Sequence, residues 1–204
     1  MTSPIVPPDS FNSRVPSTAN TNRHTHQLLV NARRNNKPVT VMDLLKAAKL
    51  DQKGIIRPKI GDMVIFTYSA KHNATLPYWD KFPLIFITDI GTDSFRGINL
   101  HYLPPNYRAK LIVKLLDLTN NNRYDESTRL KISYQYLNSA RRFREFKPCF
   151  KMYLKTQMVS QFVKIHPIDW DVVTMMPLAR FQKQSARQVY KDTRQKIRQY
   201  GGVR

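Results

Sequence analysis

GDMVIFTY (residues 61–68), PLIFITDI (83–90) and FRGINLHYL (95–103) decide the fold. Each is a short run rich in β-branched and aromatic residues and bounded by turn formers, which is the pattern of a strand. In the third run Ile98, Leu100 and Tyr102 alternate with Asn99 and His101, so the two sets point to opposite faces. The second run is apolar on both faces and is therefore expected to be buried on both. GTDS (91–94) between them is a hairpin turn signal. Three such runs predict a small twisted β-sheet or a partly open β-barrel as the core.

On the C-terminal side, Pro104 and Pro105 end the sheet. Apolar periodicity then predicts helices over 107–118 and 127–143, with TNNN (119–122) as the loop between them. Pro148 suits the first turn of a helix running to about residue 160. Short strands are expected at 162–165 and 170–175, and Pro177 is read as opening a last helix that runs to about residue 200. On the N-terminal side, residues 40–50 read as a helix with Thr40 as N-cap, Asp43 in its first turn, and Val41, Leu44, Leu45 and Ala48 on one face. Residues 1–39 are rich in Pro, Ser, Thr and Asn and read as an extended arm. The class is α+β. Its segments are the arm (1–39), a short helix and linker (40–56), a β-rich core (57–106) and a helical C-terminal part with two short strands and a basic amphipathic last helix (107–204).

The charge follows the same division. The chain carries 34 Lys and Arg against 14 Asp and Glu, a formal net charge of +20. Residues 1–60 hold ten basic and three acidic side chains, 61–120 six and five, and 121–204 eighteen and six. A field of that sign concentrates polyanions, whether nucleic acid, a membrane surface or an acidic partner. The single cysteine, Cys149, excludes an intrachain disulfide. No apolar run approaches the ~20 residues that span a bilayer, and MTSPIVPPDSFNS has neither the basic nor the apolar region of a secretory signal. A soluble chain, or a part of an assembly, with no membrane partner is expected.

The last helix carries the sharpest pattern. Arg180, Lys183, Arg187, Lys191, Arg194 and Arg198 recur every three or four residues, which places all six on one stripe about 27 Å long with no acid in it. Solvated helix faces commonly mix signs, so the stripe points to phosphate contact. A second cluster, Arg141, Arg142, Arg144 and Lys147, followed by Lys151 and Lys155, is interleaved with Phe143, Phe146 and Phe150. Arginine beside aromatic rings suits phosphates and stacked bases, and the same rings suit a core. Tyr78, Trp79 and Phe82 in LPYWDKFP (76–83), and Leu44 and Leu45 on the short helix, are candidates to meet a partner or to dock on their own domain.

No catalytic, metal or cofactor site is expected. His24 and His26 form an HxH without a third ligand, and His72, His101 and His166 stand apart. Phosphate-binding glycine loops and nucleophile motifs are missing. Asp62, Asp80, Asp89 and Asp93 lie at strand ends and turns; a metal-dependent nuclease built on Asp62, Asp89 and His101 is the enzymatic alternative. Cys149 reads as a buried structural residue.

The run from GDMVIFTY through LPYWDKFPLIFITDI and GINLHYLPPNYR, with FKPCFKMYL and the WDVVTMMP segment ahead of the basic helix, resembles a family of small virion proteins of large contractile-tailed bacteriophages and their cyanophage relatives, commonly labelled DNA end protector. The resemblance covers residues 57–198. It implies a component of the phage particle near the DNA-bearing head, neck or tail, oligomeric there, with double-stranded DNA and other virion subunits as partners. The alternative is a purely structural neck, tail or baseplate subunit whose basic helix and arm pack on acidic neighbours.

Overall fold

The computed structural model describes residues 23–51, 57–119, 123 and 125–201. Residues 1–22 of the expected arm, the linker at 52–56 and residues 120–122 of the expected loop lie outside the described residues.

The three deciding runs do form the centre of a sheet. Strands β1 (Met63–Ile65), β3 (Leu84–Ile90) and β4 (Ser94–Asn99) are joined by β5 (Phe150–Leu154) and β6 (Val163–Ile165) in the order β5-β4-β3-β1-β6. Every pairing is antiparallel. The sheet is open, with β5 and β6 as its edges, so the barrel alternative is not realised. A separate two-stranded ribbon pairs β2 (Trp79–Asp80) with β7 (Phe181–Gln182).

Alternation along the strands builds two cores, one on each face of the sheet. Met63, Ile65, Leu84, Phe86, Ile98, Val163 and Ile165 face the larger one, which helices α1 (Arg23–Arg34), α2 (Val41–Asp51), α3 (Pro105–Thr119), α4 (Glu126–Ser139), α5 (Trp170–Met175) and α6 (Ala186–Gly201) complete with residues from Leu29 to Val189. Val64, Ile85 and Ile87 face the smaller, which is aromatic: Phe66, Tyr68, Phe95, Tyr153 and Phe162 meet with ring centroids 5.0–6.1 Å apart, mostly edge to face. Such pairs contribute about 0.5–1.5 kcal/mol each beyond their buried area.

Gly97 marks where two strands come closest. A Cβ there would stand 2.4 Å from the carbonyl oxygen of Phe86, so only glycine keeps β4 seated on β3.

Four expectations change. The run 95–103 leaves the sheet at Asn99, because the Asn99 side-chain oxygen accepts from the His101 backbone N–H at 2.8 Å and turns residues Leu100–Tyr102 into a 3-10 turn. The helix expected from Pro148 is a 3-10 turn, Lys147–Cys149, followed by β5, whose residues pair one for one with Ser94–Ile98; the ladder on β4 outweighs local helical preference. The strand expected at 170–175 is helix α5: Trp170, Val173 and Thr174 are its buried side chains, a helical spacing, and Trp170 packs edge to face on Phe86 at 4.9 Å.

The fourth is the arm. Residues 23–34 are not extended but form α1, with Thr25, Leu29 and Ala32 buried. Its first turn is capped from a distance. Asp51, at the end of α2, accepts from the backbone N–H groups of His24 and Thr25 at 2.6 and 2.8 Å and from Thr25 Oγ1 at 2.8 Å. Helix α2 caps itself: Thr40 Oγ1 accepts from the Asp43 N–H, and the Asp43 carboxylate accepts from the Thr40 N–H at 2.9 Å, a reciprocal capping box.

Gly97→Ala should cost roughly 1–3 kcal/mol through overpacking, read as a lower melting temperature; an unchanged value would mean that β3 and β4 separate easily. Asp51 has an acid-side signature. Burial pushes its carboxyl upward, but the hydrogen bonds from His24 and Thr25 outweigh that and hold it below the ordinary value of 3.8. A lowered folded pKa stabilises above the unfolded value, and that contribution disappears as pH falls through the folded one. The His24 and Thr25 amide resonances should therefore titrate with a midpoint below 3.8, and lose that titration in Asp51→Asn.

Candidate nucleic-acid interface

Helix α6 begins where Ser185 caps it. Ser185 Oγ accepts from the Gln188 N–H at 3.2 Å and its carbonyl from the Val189 N–H at 3.1 Å. Val189, Thr193 and Ile197 recur every fourth residue and are buried. That face docks the helix and leaves Arg187, Lys191, Arg194 and Arg198 exposed. At about 100° per residue these four fall within an arc of roughly 60° and run about 17 Å along the axis. Among the described residues none of the four pairs with a carboxylate. Asp192, the acid on this helix, lies off the arc, where it accepts from Gln188 Nε2 at 2.7 Å. Burial, and then Asp192 beside it, push the Tyr78 hydroxyl up to about 12.

The expected six-residue stripe is thus shortened by two. Arg180 and Lys183 precede the helix, because Phe181 and Gln182 pair as β7 with Asp80 and Trp79. Lys183 sits at a φ of 67° and its ammonium donates to the carbonyls of Asn73, Ala74 and Leu76, with the Trp79 ring 5.7 Å away. It ties the loop at 71–77 to β7 and is engaged there. Arg180 is exposed, and its carbonyl accepts from the Lys81 N–H at 2.8 Å.

A buried polar centre holds this ribbon in place. Asp80 Oδ2 accepts from Asn99 Nδ2 at 3.0 Å and lies 2.8 Å from His101 Nδ1; Asp80 Oδ1 accepts from the Phe82 N–H at 3.0 Å. Asn99 Nδ2 also donates to Tyr153 Oη at 2.9 Å. Asp80, Asn99 and His101 are all buried. Of the three residues of the nuclease alternative, His101 is held by Asp80 and Asp62 pairs with Lys164, each at 2.8 Å, while Asp89 lies on β3. His24 and His26 do not form a joint site either, since His24 meets Asp51 and His26 meets Asp169, each at 2.9 Å. Among the described residues no three His, Cys, Asp or Glu side chains gather as a metal site. Burial pushes the Cys149 thiol up to about 12, the state of an unreactive core residue.

The second basic cluster falls at the corner between α4 and β5. Arg142, Arg144 and Lys147 are exposed there, Arg144 paired with Glu145 at 3.0 Å; the side chain of Arg141 lies outside the described residues. Phe146 and Phe150 pack on the larger core, and Phe143 is 53% exposed. The Lys147 ammonium lies 5.5 Å from the Tyr200 ring, and that of Lys151 lies 4.3 Å from the Tyr102 ring. Helical geometry puts Tyr200 and Lys196 roughly 150–170° around α6 from the centre of the exposed stripe. The corner and the stripe therefore flank the helix on opposite sides.

The residues expected to meet a partner are largely engaged within the protein itself. Leu44 is wholly buried between α2 and the rest of the larger core, and Leu45, Tyr78 and Phe82 pack against that core. Trp79 packs on the smaller core. Apolar faces on short elements dock where area is available, and the open sheet with its ribbon supplies it.

Fold and surface together define a strongly basic α+β protein with a row of exposed cations along one helix and further cations at one corner of the sheet. Among the described residues no helix is long and apolar enough to cross a membrane. A family model described as phage T4 terminal DNA protecting protein matches residues 18–197. The chain belongs to that family, which reaches further toward the N-terminus than residue 57 and takes in α1 and α2. No curated protein and no solved structure is similar to it by the same standard.

Lys183 is exposed like the α6 cations, but its ammonium is tied to three carbonyls of the loop. Lys183→Met should free the loop at 71–77 and cost about 1–3 kcal/mol of stability, as for a lost charge-assisted hydrogen-bond set. Affinity for duplex DNA should stay unchanged in that variant; a loss of affinity equal to that of an α6 variant would place Lys183 among the DNA contacts.

Proposed function

We propose that this protein sits in the phage particle on the terminal stretch of double-stranded DNA, holds it through backbone phosphates without reading sequence, and shields the end without cutting it. The observation that carries the reading is the arc of Arg187, Lys191, Arg194 and Arg198, exposed and paired with no acid among the described residues, on a helix that is docked by its other face. Desolvation is small at such a surface, and each cation neutralises a phosphate by releasing a counterion. The family description supports the end-protecting role. In-line cleavage needs carboxylates clustered around metal, and among the described residues no three His, Cys, Asp or Glu side chains gather in that way.

Salt titration of binding to a linear duplex tests this. Four contacts give a slope of about −3 to −4 in log K against log salt, at −0.9 per phosphate. Replacing Arg187 and Arg194 by Glu should flatten that slope by about 2 and weaken all sequences alike. An unaltered slope in that double variant would assign the stripe to packing on an acidic virion subunit instead.

A further inference from the structure

A second concentration of positive charge lies away from the α6 arc, at the edge of the sheet. Strands β4 and β5 pair so that Arg96 lies opposite Met152 and Gly97 opposite Lys151. Beside them opens a groove of about 390 Å³ lined by Arg96, Lys147, Phe150, Lys151 and Met152. Helix α6 packs on the turn Lys147–Cys149 beside it and brings the Tyr200 ring within 5.5 Å of the Lys147 ammonium. Lys196, one turn earlier on α6, lies close enough to Lys151 to repel it.

Arg96, Lys147, Lys151 and Lys196 pair with no carboxylate among the described residues. Two of them lean on aromatic rings instead, Lys147 on Tyr200 and Lys151 on Tyr102. Lys151 is half-buried, and burial, with Lys196 beside it, brings its ammonium down to about 8. Crowding cations in a partly desolvated groove is unfavourable for the free protein and becomes favourable when a multiply charged anion enters.

We propose that this groove receives the terminal phosphate monoester of a DNA strand. The inference rests on the end-binding reading above and adds the group by which the end is known. A monoester carries about −1.5 to −2 at neutral pH, against −1 for an internal diester, and so matches several convergent cations better. Geometry points the same way. The groove and the exposed arc lie on opposite flanks of α6, separated by the ~10–12 Å diameter of a helix. A duplex is stiff over about 50 nm, so interior phosphates that follow the arc do not bend round α6. The last nucleotides of a strand, once frayed from the duplex end, are free to do so.

The test compares blunt duplexes of one sequence with 5′-phosphate, 3′-phosphate or hydroxyl ends. A phosphorylated end should bind about tenfold tighter, the effect of one or two charge-assisted hydrogen bonds, and the 5′ and 3′ arms show which end is taken. Lys147→Gln and Lys151→Gln together should bring that ratio close to one and leave the salt slope of the hydroxyl-ended duplex in place. Arg187→Glu with Arg194→Glu should lower all affinities and keep the ratio. In the wild-type protein the Lys151 side-chain resonance should titrate at higher pH with the phosphorylated duplex than with the hydroxyl-ended one. A wild-type ratio of one, with the salt slope intact, overturns this inference alone; loss of duplex binding altogether overturns the end-binding reading with it. A shift of Lys151 by inorganic phosphate equal to that given by the duplex also overturns the assignment to a DNA end. Lys147 lines the groove and is exposed, so Lys147→Gln by itself keeps the test valid if Lys151→Gln destabilises the fold.

Discussion

Asp80 is the constraint on which the placement of α6 and its ribbon depends. A carboxylate with 3% exposure is costly to desolvate. Here the cost is offset by the Asn99 amide, the His101 ring and the Phe82 N–H, all within 3.0 Å. Those partners belong to the end of β4, to the 3-10 turn after it and to the loop before β3. Asp80 also pairs with Phe181 in the ribbon. One side chain therefore ties the sheet to the segment that launches α6, and the direction in which α6 presents its cations is set from inside the protein. Removing only one partner would leave an uncompensated polar group, the costliest kind of change in a core.

The strands and the fold class were legible because a sheet with a core on each face writes its period directly into the sequence: Leu84 and Phe86 go one way, Ile85 and Ile87 the other. Elements whose conformation is decided by distant partners were not. FKMYL has no decisive helix or strand preference of its own, and it becomes β5 because Ser94–Ile98 offers an open ladder. WDVVTM has strand-like composition, yet Trp170 needs a helix to reach Phe86. Residues 23–34 are polar on average, and only the spacing of Thr25, Leu29 and Ala32 betrays a helix.

The candidate site was legible in part. The arc of Arg187, Lys191, Arg194 and Arg198 follows from spacing alone. Its upstream limit was also written in the sequence, as Ser185 followed three residues later by Gln188, a capping signature that outweighs Pro177 as a start signal. Arg96 was not legible as a companion of Lys147 and Lys151. It lies on a different element, and only the pairing of β5 with β4 at the sheet edge brings it to the same groove. Charge counts find the sign of a surface; topology finds which charges share a solvent-exposed recess.

The remote cap of α1 bears on the order in which the chain is made. A helix of 12 residues is marginal by itself. Its first turn takes its hydrogen bonds from Asp51, and its flank is fastened by His26 to Asp169, 143 residues further on. A nascent chain leaves the ribosome N-terminus first, so the earliest described helix to emerge is without its cap until α2 follows, and without its flanking anchor until nearly the whole protein has been synthesised. Completion of α1 is thus a late event in biogenesis, and a truncated product ending before residue 169 would carry this helix without the contact that finishes it.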